Sequence, residues 1–129
     1  MCCVVKWNGS LSRVFSVGSG VRQGNCLSPA IFNMFMSSFI VNLRQSDIGC
    51  HILNMYCVCL LYADDIVLLS RSVNGLQLML DICLRTAGDL SLQFNCSKCH
   101  CLVIGRAVDV KLQSLLLGNN HIHRSQSIK

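Results

Sequence analysis

Apolar and polar positions along this chain change period several times, and each change marks an element. The chain opens with Val4-Val5-Lys6-Trp7, then Asn8-Gly9, then Leu11 to Val17. Asn-Gly between two β-prone runs predicts a hairpin, because both residues tolerate the positive φ of a tight two-residue turn. Ser16 to Gly24 is glycine-rich and predicts a loop. Ile31, Phe35, Phe39 and Leu43 then recur every four residues, with Phe32, Met36 and Ile40 one step round. That spacing predicts a helix with a wide apolar face turned to the core. Ser28 is placed to cap it, Pro29 suits its first helical position, and Asp47 to Gly49 end it.

Two continuous apolar runs follow, Val58 to Tyr62 and Ile66 to Ser70, on either side of Ala63-Asp64-Asp65. Runs of that length read as buried strands. A second helix is expected from about Ser72, with Leu76, Leu80, Cys83 and Ala87 on one face. Leu90, Leu92 and Phe94 alternate like a half-buried strand, and Cys101 to Ile104 is another strand candidate. Leu115 to Leu117, Gly118-Asn119-Asn120 and His121 to His123 predict a closing hairpin. The order of elements predicts an α+β domain, an antiparallel sheet with helices packed on one face.

Composition narrows the class. The chain has 129 residues, 52% hydrophobic and 13% charged, with one Pro and nine Gly. That is one domain with a sizeable core, and it excludes a disordered, collagen-like or Pro-rich chain. The formal net charge is +5, and all six acids are Asp. A basic surplus suits a polyanionic partner without identifying one. Ten cysteines would suit a secreted disulfide scaffold. However, Met1 to Trp7 lacks the basic start and apolar stretch of a secretory signal, and Cys57 and Cys59 sit inside an apolar run. A reduced, intracellular protein of the nucleus or cytoplasm is expected. The longest charge-free run, Gln23 to Leu43, is interrupted by Asn25, Pro29, Asn33, Ser37, Ser38 and Asn42, which argues against a membrane span.

The informative anomaly is Leu60-Leu61-Tyr62-Ala63-Asp64-Asp65-Ile66-Val67-Leu68-Leu69. Two adjacent carboxylates lie in the most apolar part of the chain. Ionised side by side and out of water, they would need compensation. A divalent metal supplies it, because hard cations such as Mg²⁺ take carboxylate oxygens. The ordinary alternative is a polar hairpin turn. Adjacent Asp pairs also occur in prenyl-transfer enzymes, but the further Asp expected there is missing between Ile66 and Leu69.

The flanking segments shift the balance. Gly20-Val21-Arg22-Gln23-Gly24-Asn25-Cys26-Leu27-Ser28-Pro29-Ala30-Ile31-Phe32-Asn33 precedes the pair, and Asn95-Cys96-Ser97-Lys98 follows it. With these motifs in this order, the chain resembles the reverse transcriptases of non-LTR (LINE-type) retrotransposons from about Val4 to Lys129. The resemblance implies a palm subdomain and RNA-directed DNA synthesis. It implies an RNA template, a DNA primer and deoxynucleotides as partners, and Mg²⁺, or Mn²⁺, as cofactor. It assigns Asp64 and Asp65 to catalysis and metal binding, and Arg22, Gln23, Gly24 and Tyr62 to the nucleotide and template site. Lys98 falls to the nucleotide's phosphates. Two metals about 4 Å apart would clamp the attacking and leaving oxygens of phosphoryl transfer.

The chain departs from that pattern in two places. The family carries another catalytic Asp on a strand upstream of the glycine loop, yet the nineteen residues before Gly20 include no Asp or Glu. Asp47 and Asp81 fall on or beside predicted helices. Asn25 also stands where the family usually has Cys. The expectation is therefore a partial palm, without fingers, first catalytic strand or thumb, and inactive alone. The alternative is a non-catalytic remnant that binds nucleic acid or protein. Cys96-x-x-Cys99 with His100, Cys101, His121 and His123 is a weaker candidate for structural zinc, because its spacing matches no common finger. Trp7 is expected to pack within the first hairpin, with base stacking as the alternative.

Overall fold

The computed structural model describes residues 2–18, 24, 26–104 and 114–125. The chain divides into two compact units, Met1–Phe32 and Asn33–Lys129.

The first unit is a β-ribbon leading into a helix. Strands β1 (Cys2–Cys3) and β4 (Phe15–Ser16) pair antiparallel, as do β2 (Lys6–Trp7) and β3 (Ser10–Leu11). Asn8 and Gly9 both have positive φ, 45° and 80°, as a type I′ turn requires. The Asn-Gly hairpin thus forms as expected. Trp7 does not pack within it: the side chain is 81% exposed. Its cross-strand partner is Ser10, which offers no apolar surface to lie on.

Helix α1 (Ser28–Gln45) straddles the two units. The amide of Ile31 bonds the Leu27 carbonyl, so Leu27 holds the cap position and Ser28 and Pro29 stand one step further in than expected. In the second unit the buried stripe of α1 is Met36, Phe39 and Leu43. Ile31 and Phe35, expected on that stripe, are 42% and 48% exposed.

Helix α2 (Val73–Asp89) starts where expected. Ser72 Oγ accepts from the Gly75 amide at 3.1 Å and caps it. Its buried residues are Gly75, Met79, Cys83, Thr86 and Ala87, so Leu76 and Leu80 lie beside the buried stripe rather than on it. The core consists of these residues with the α1 stripe, Val58, Leu115 and Leu117. Each fully buried large apolar side chain contributes about 1.5–3 kcal/mol. Asn42 Nδ2 donates to Thr86 Oγ1 at 2.9 Å and links the two helices. Phe94 meets Phe39 edge-on, with ring centroids 6.0 Å apart.

The predicted strand at Leu90 to Phe94 is absent. Leu90 caps α2, Ser91 has φ +55°, and the amides of Ser91 and Leu92 return to the carbonyls of Gly88 and Ala87. This is a Schellman closure, and it uses the amides a strand would need. A 3₁₀ turn, Cys96–Lys98, follows.

The remaining strands are β5 (Cys50–Ile52), β6 (Met55–Cys57), β7 (Cys59–Tyr62), β8 (Asp65–Leu68), β9 (His100–Leu102), β10 (Leu116–Leu117), β11 (Asn120–His121) and β12 (His123–Ser125). Among the described residues they form two-stranded sheets, not the single antiparallel sheet expected. The β5–β6, β7–β8 and β10–β11 pairs are antiparallel, while β12 runs parallel to β9. The β10–β11 turn has Gly118 at φ +62°, as the closing-hairpin expectation requires. Gln77 on α2 holds β10 from the side: its amide donates to the Leu116 carbonyl at 2.9 Å and accepts from the Leu116 amide at 2.8 Å. Among the described residues, no helix is long and apolar enough to cross a membrane.

Two tests follow from the packing of α2. A Cβ on Gly75 would come 2.7 Å from Ser70 Oγ and 3.1 Å from Ile48 Cγ2. Gly75→Ala is therefore expected to lose about 1–2 kcal/mol despite alanine's better helix propensity. Adding Ser70→Ala should recover part of the loss in a urea double-mutant cycle. Burial pushes the Cys83 thiol up from 9.0 to about 12. Above pH 9 the unfolded thiol ionises while the folded one stays neutral, so the unfolded state binds fewer protons and stability falls as pH rises towards 12. Thermal melts across that range should show this slope, and Cys83→Ala should make it shallower.

Candidate functional site

The Asp pair sits at the tip of the β7–β8 hairpin. The register is Cys59 with Leu68, Leu60 with Val67, Leu61 with Ile66 and Tyr62 with Asp65. This leaves Ala63 and Asp64 as a two-residue turn. Ala63 has φ +50°, while Asp64 is not among the positive-φ residues. Positive φ at the first turn position only is the pattern of a type II′ turn, which normally places Gly there. A Cβ in that region costs about 1–2 kcal/mol, so the ladder holds Ala63 against its own preference.

Side chains alternate along the ladder. Tyr62 and Asp65 share one face with Leu60 and Val67. Cys59, Leu61, Ile66 and Leu68 share the other and are half-buried. The first face is open: Tyr62 is 84% exposed, Leu60 56% and Val67 49%. Asp64 and Asp65 are exposed as well. The expectation of strands buried on both faces is thus corrected. So is the premise that the carboxylates lie out of water, because a two-stranded ribbon covered on one side lifts its tip into solvent. At its base the hairpin is firm. Val58 is buried, and its carbonyl accepts from the Leu69 amide at 3.1 Å. Val58 is the first residue of the apolar run Val58 to Tyr62, and within that run it is the one that is buried.

The other candidates are placed as follows. Lys98 is exposed at the end of the 3₁₀ turn, where Asn95 Oδ1 accepts from the Ser97 amide at 3.2 Å and its hydroxyl at 2.6 Å. Gly24 has φ +78°, a conformation that favours glycine. Arg22 and Gln23 lie outside the described residues. Asp47 follows α1, and Asp81 on α2 accepts from Gln77 Nε2 at 2.9 Å.

Oxygen donors on adjacent residues in water suit a hard divalent ion held by one or two carboxylates, with further ligands from substrate phosphates. Among the described residues, no group of three or more His, Cys or Asp side chains converges as a metal site. The zinc candidate is therefore not assembled there. Its thiols are engaged locally: Cys99 Sγ donates to the Asn95 carbonyl at 3.4 Å, and Cys96 Sγ accepts from Asn120 Nδ2 at 3.4 Å. Burial raises the Cys99 and Cys101 thiols, which disfavours the thiolates zinc needs.

Comparison with known proteins agrees with the motifs. The family model for reverse transcriptase (RNA-dependent DNA polymerase) matches residues 1–127, and the chain belongs to that family. Among its relatives is the retrovirus-related Pol polyprotein from the type-2 retrotransposable element R2DM of Drosophila melanogaster, 32% identical over 120 residues. The corresponding polyprotein from the type-1 retrotransposable element R2 of Nasonia vitripennis is 30% identical over 128 residues. The Transposon TX1 uncharacterized 149 kDa protein of Xenopus laevis is 34% identical over 77 residues, 58% of this chain and 6% of that protein. The two R2 matches cover 89% and 92% of this chain, which spans 11% and 12% of those relatives' length. The resemblance to non-LTR retrotransposon reverse transcriptases is thus borne out.

The turn geometry makes a direct prediction. Ala63→Gly removes the Cβ cost of positive φ but adds unfolded-state entropy, so a net gain of roughly 0.5–1 kcal/mol is expected. Urea denaturation of the two proteins checks it.

Proposed function

We propose that this chain carries the metal-binding hairpin and adjoining palm elements of an RNA-directed DNA polymerase from a non-LTR retrotransposon. The observation that carries this reading is the two-residue turn, which sets Asp64 and Asp65 side by side and exposed on a ribbon anchored at Val58. A bound pair of divalent ions would supply charge stabilisation for in-line phosphoryl transfer. Asp64 and Asp65 would hold the ions. Tyr62, on the same face as Asp65, would line the nucleotide site. Arg22, Gln23 and Gly24 would contact nucleotide or template, and Lys98 would neutralise phosphate charge. The substrates would be an RNA template, a DNA primer and deoxynucleotides.

A second reading has its own support. No third ligand joins the pair among the described residues, and residues 1–46 contain no carboxylate side chain. On this reading the chain by itself binds a divalent ion without polymerising.

Two measurements test these readings. Mn²⁺ added to the isotopically labelled chain should first broaden the NMR signals of Tyr62 to Ile66, and Asp64→Ala should abolish the effect. Equal broadening around Asp47, Asp81 and Asp89, or none lost in the variant, would refute the site. Primer extension on an RNA template with Mg²⁺ should show no activity from this chain. Extension that disappears in Asp64→Ala would overturn the inactivity and keep the site, whereas extension unchanged in that variant would overturn the site.

A further inference from the structure

The β5–β6 hairpin places two thiols opposite each other. Cys50 pairs with Cys57, His51 with Tyr56 and Ile52 with Met55, across the turn Leu53-Asn54. Opposite residues of an antiparallel pair project from one face, with Cβ atoms about 4.5–5.5 Å apart. Pair types alternate outward from a two-residue turn. Cys50–Cys57 therefore falls on a hydrogen-bonded pair, where Cα atoms stand about 5.5 Å apart. A disulfide spans Cα separations of about 4.4–6.8 Å. Both thiols are free and both residues half-buried, so a small reagent reaches them.

We propose that Cys50 and Cys57 form a reversible cross-strand disulfide, an oxidation site on the strand pair that leads into the Asp hairpin. The co-reactant is a small-molecule disulfide of the glutathione class. One protein thiolate attacks it, forming a mixed disulfide and releasing one glutathione thiolate. The second protein thiolate then attacks the protein sulfur of that mixed disulfide and releases the other. The two protein thiols lose two protons and two electrons, and oxidised glutathione becomes two reduced molecules. Joining the sulfurs must draw the Cβ atoms in to about 3.8 Å, so the bond carries strain and is readily reduced. That favours a switch over a permanent staple.

The other nearby thiols are poorer partners. Cys59 lies on β7 opposite Leu68, and burial raises its thiol. Cys83 is buried in the core. Because Cys57 is joined through the buried Val58 to β7, a cross-link at Cys57 would restrain the base of the ribbon that carries Asp64 and Asp65.

The methionine positions provide a clean test. Cyanogen bromide cleaves after Met36, Met55 and Met79, so residues 37–55 carry Cys50 alone and residues 56–79 carry Cys57 and Cys59. The native chain is equilibrated with oxidised glutathione, its free thiols are alkylated in acid-quenched urea, and it is then cleaved. Mass spectrometry should find the two segments joined in the unmodified chain and in Cys59→Ser. They should be separate in Cys50→Ser and in Cys57→Ser, and after dithiothreitol. Joined segments in Cys57→Ser but not in Cys59→Ser would make Cys59 the partner and overturn the assignment. Separate segments in the unmodified chain, with native circular dichroism retained, would also overturn it.

Discussion

The ladder register of β7 and β8 is the constraint on which the site depends. With Leu61 opposite Ile66 and Tyr62 opposite Asp65, only two residues remain to reverse the chain. A slip of β8 by one residue would turn its side chains over relative to β7, sending Ile66 and Leu68 into water and moving Asp65 off the face it shares with Tyr62. The apolar alternation therefore specifies the register, and the register specifies where the carboxylates stand. The left-handed Ala63 is the cost of that arrangement, held in place by the pairs behind it.

Those pairs are held in turn by the core of the second unit. Val58 is the buried residue at the start of the ribbon, and its carbonyl extends the ladder to Leu69. Polar links do what apolar packing alone does not. Asn42 and Thr86 fix the rotation of one helix against the other, and Gln77 takes both backbone groups of Leu116. A buried stripe can slide by a residue at modest cost, whereas these hydrogen bonds leave polar groups unsatisfied if it does.

Local chemistry was legible in the sequence wherever a single residue dictates a backbone conformation. Asn8-Gly9, Ser72 and Gly118 each announce a turn or cap that the structure contains. Asp64 and Asp65 stand out in the sequence as adjacent acids within an apolar run, although the structure sets both in water. What escaped was set by tertiary choice. The wide apolar face of α1 fits several rotations, and periodicity does not say that Met36 is buried while Ile31 and Phe35 stay half in water. Leu90, Leu92 and Phe94 alternate by accident of a Schellman closure. The Leu53-Asn54 turn was missed because Leu at φ +57° is not a turn signal. The parallel pairing of β9 with β12 depends on the path between them, which no local pattern encodes.

Position and stiffness of the carboxylates have different sources. Their position on the backbone follows from turn and register alone and needs no surrounding burial. Stiffness does need it, because an isolated two-stranded ribbon is marginal in water, and stability comes from covering a face or adding a strand. Here one face is half covered through Cys59, Leu61, Ile66 and Leu68, while Leu60, Tyr62 and Val67 remain open beside Asp65. Among the described residues β7 and β8 pair only with each other. Metal-assisted phosphoryl transfer requires its carboxylates held to within about half an ångström. In this ribbon the turn sets where Asp64 and Asp65 leave the backbone, and Val58 with the covered face sets how firmly they are held.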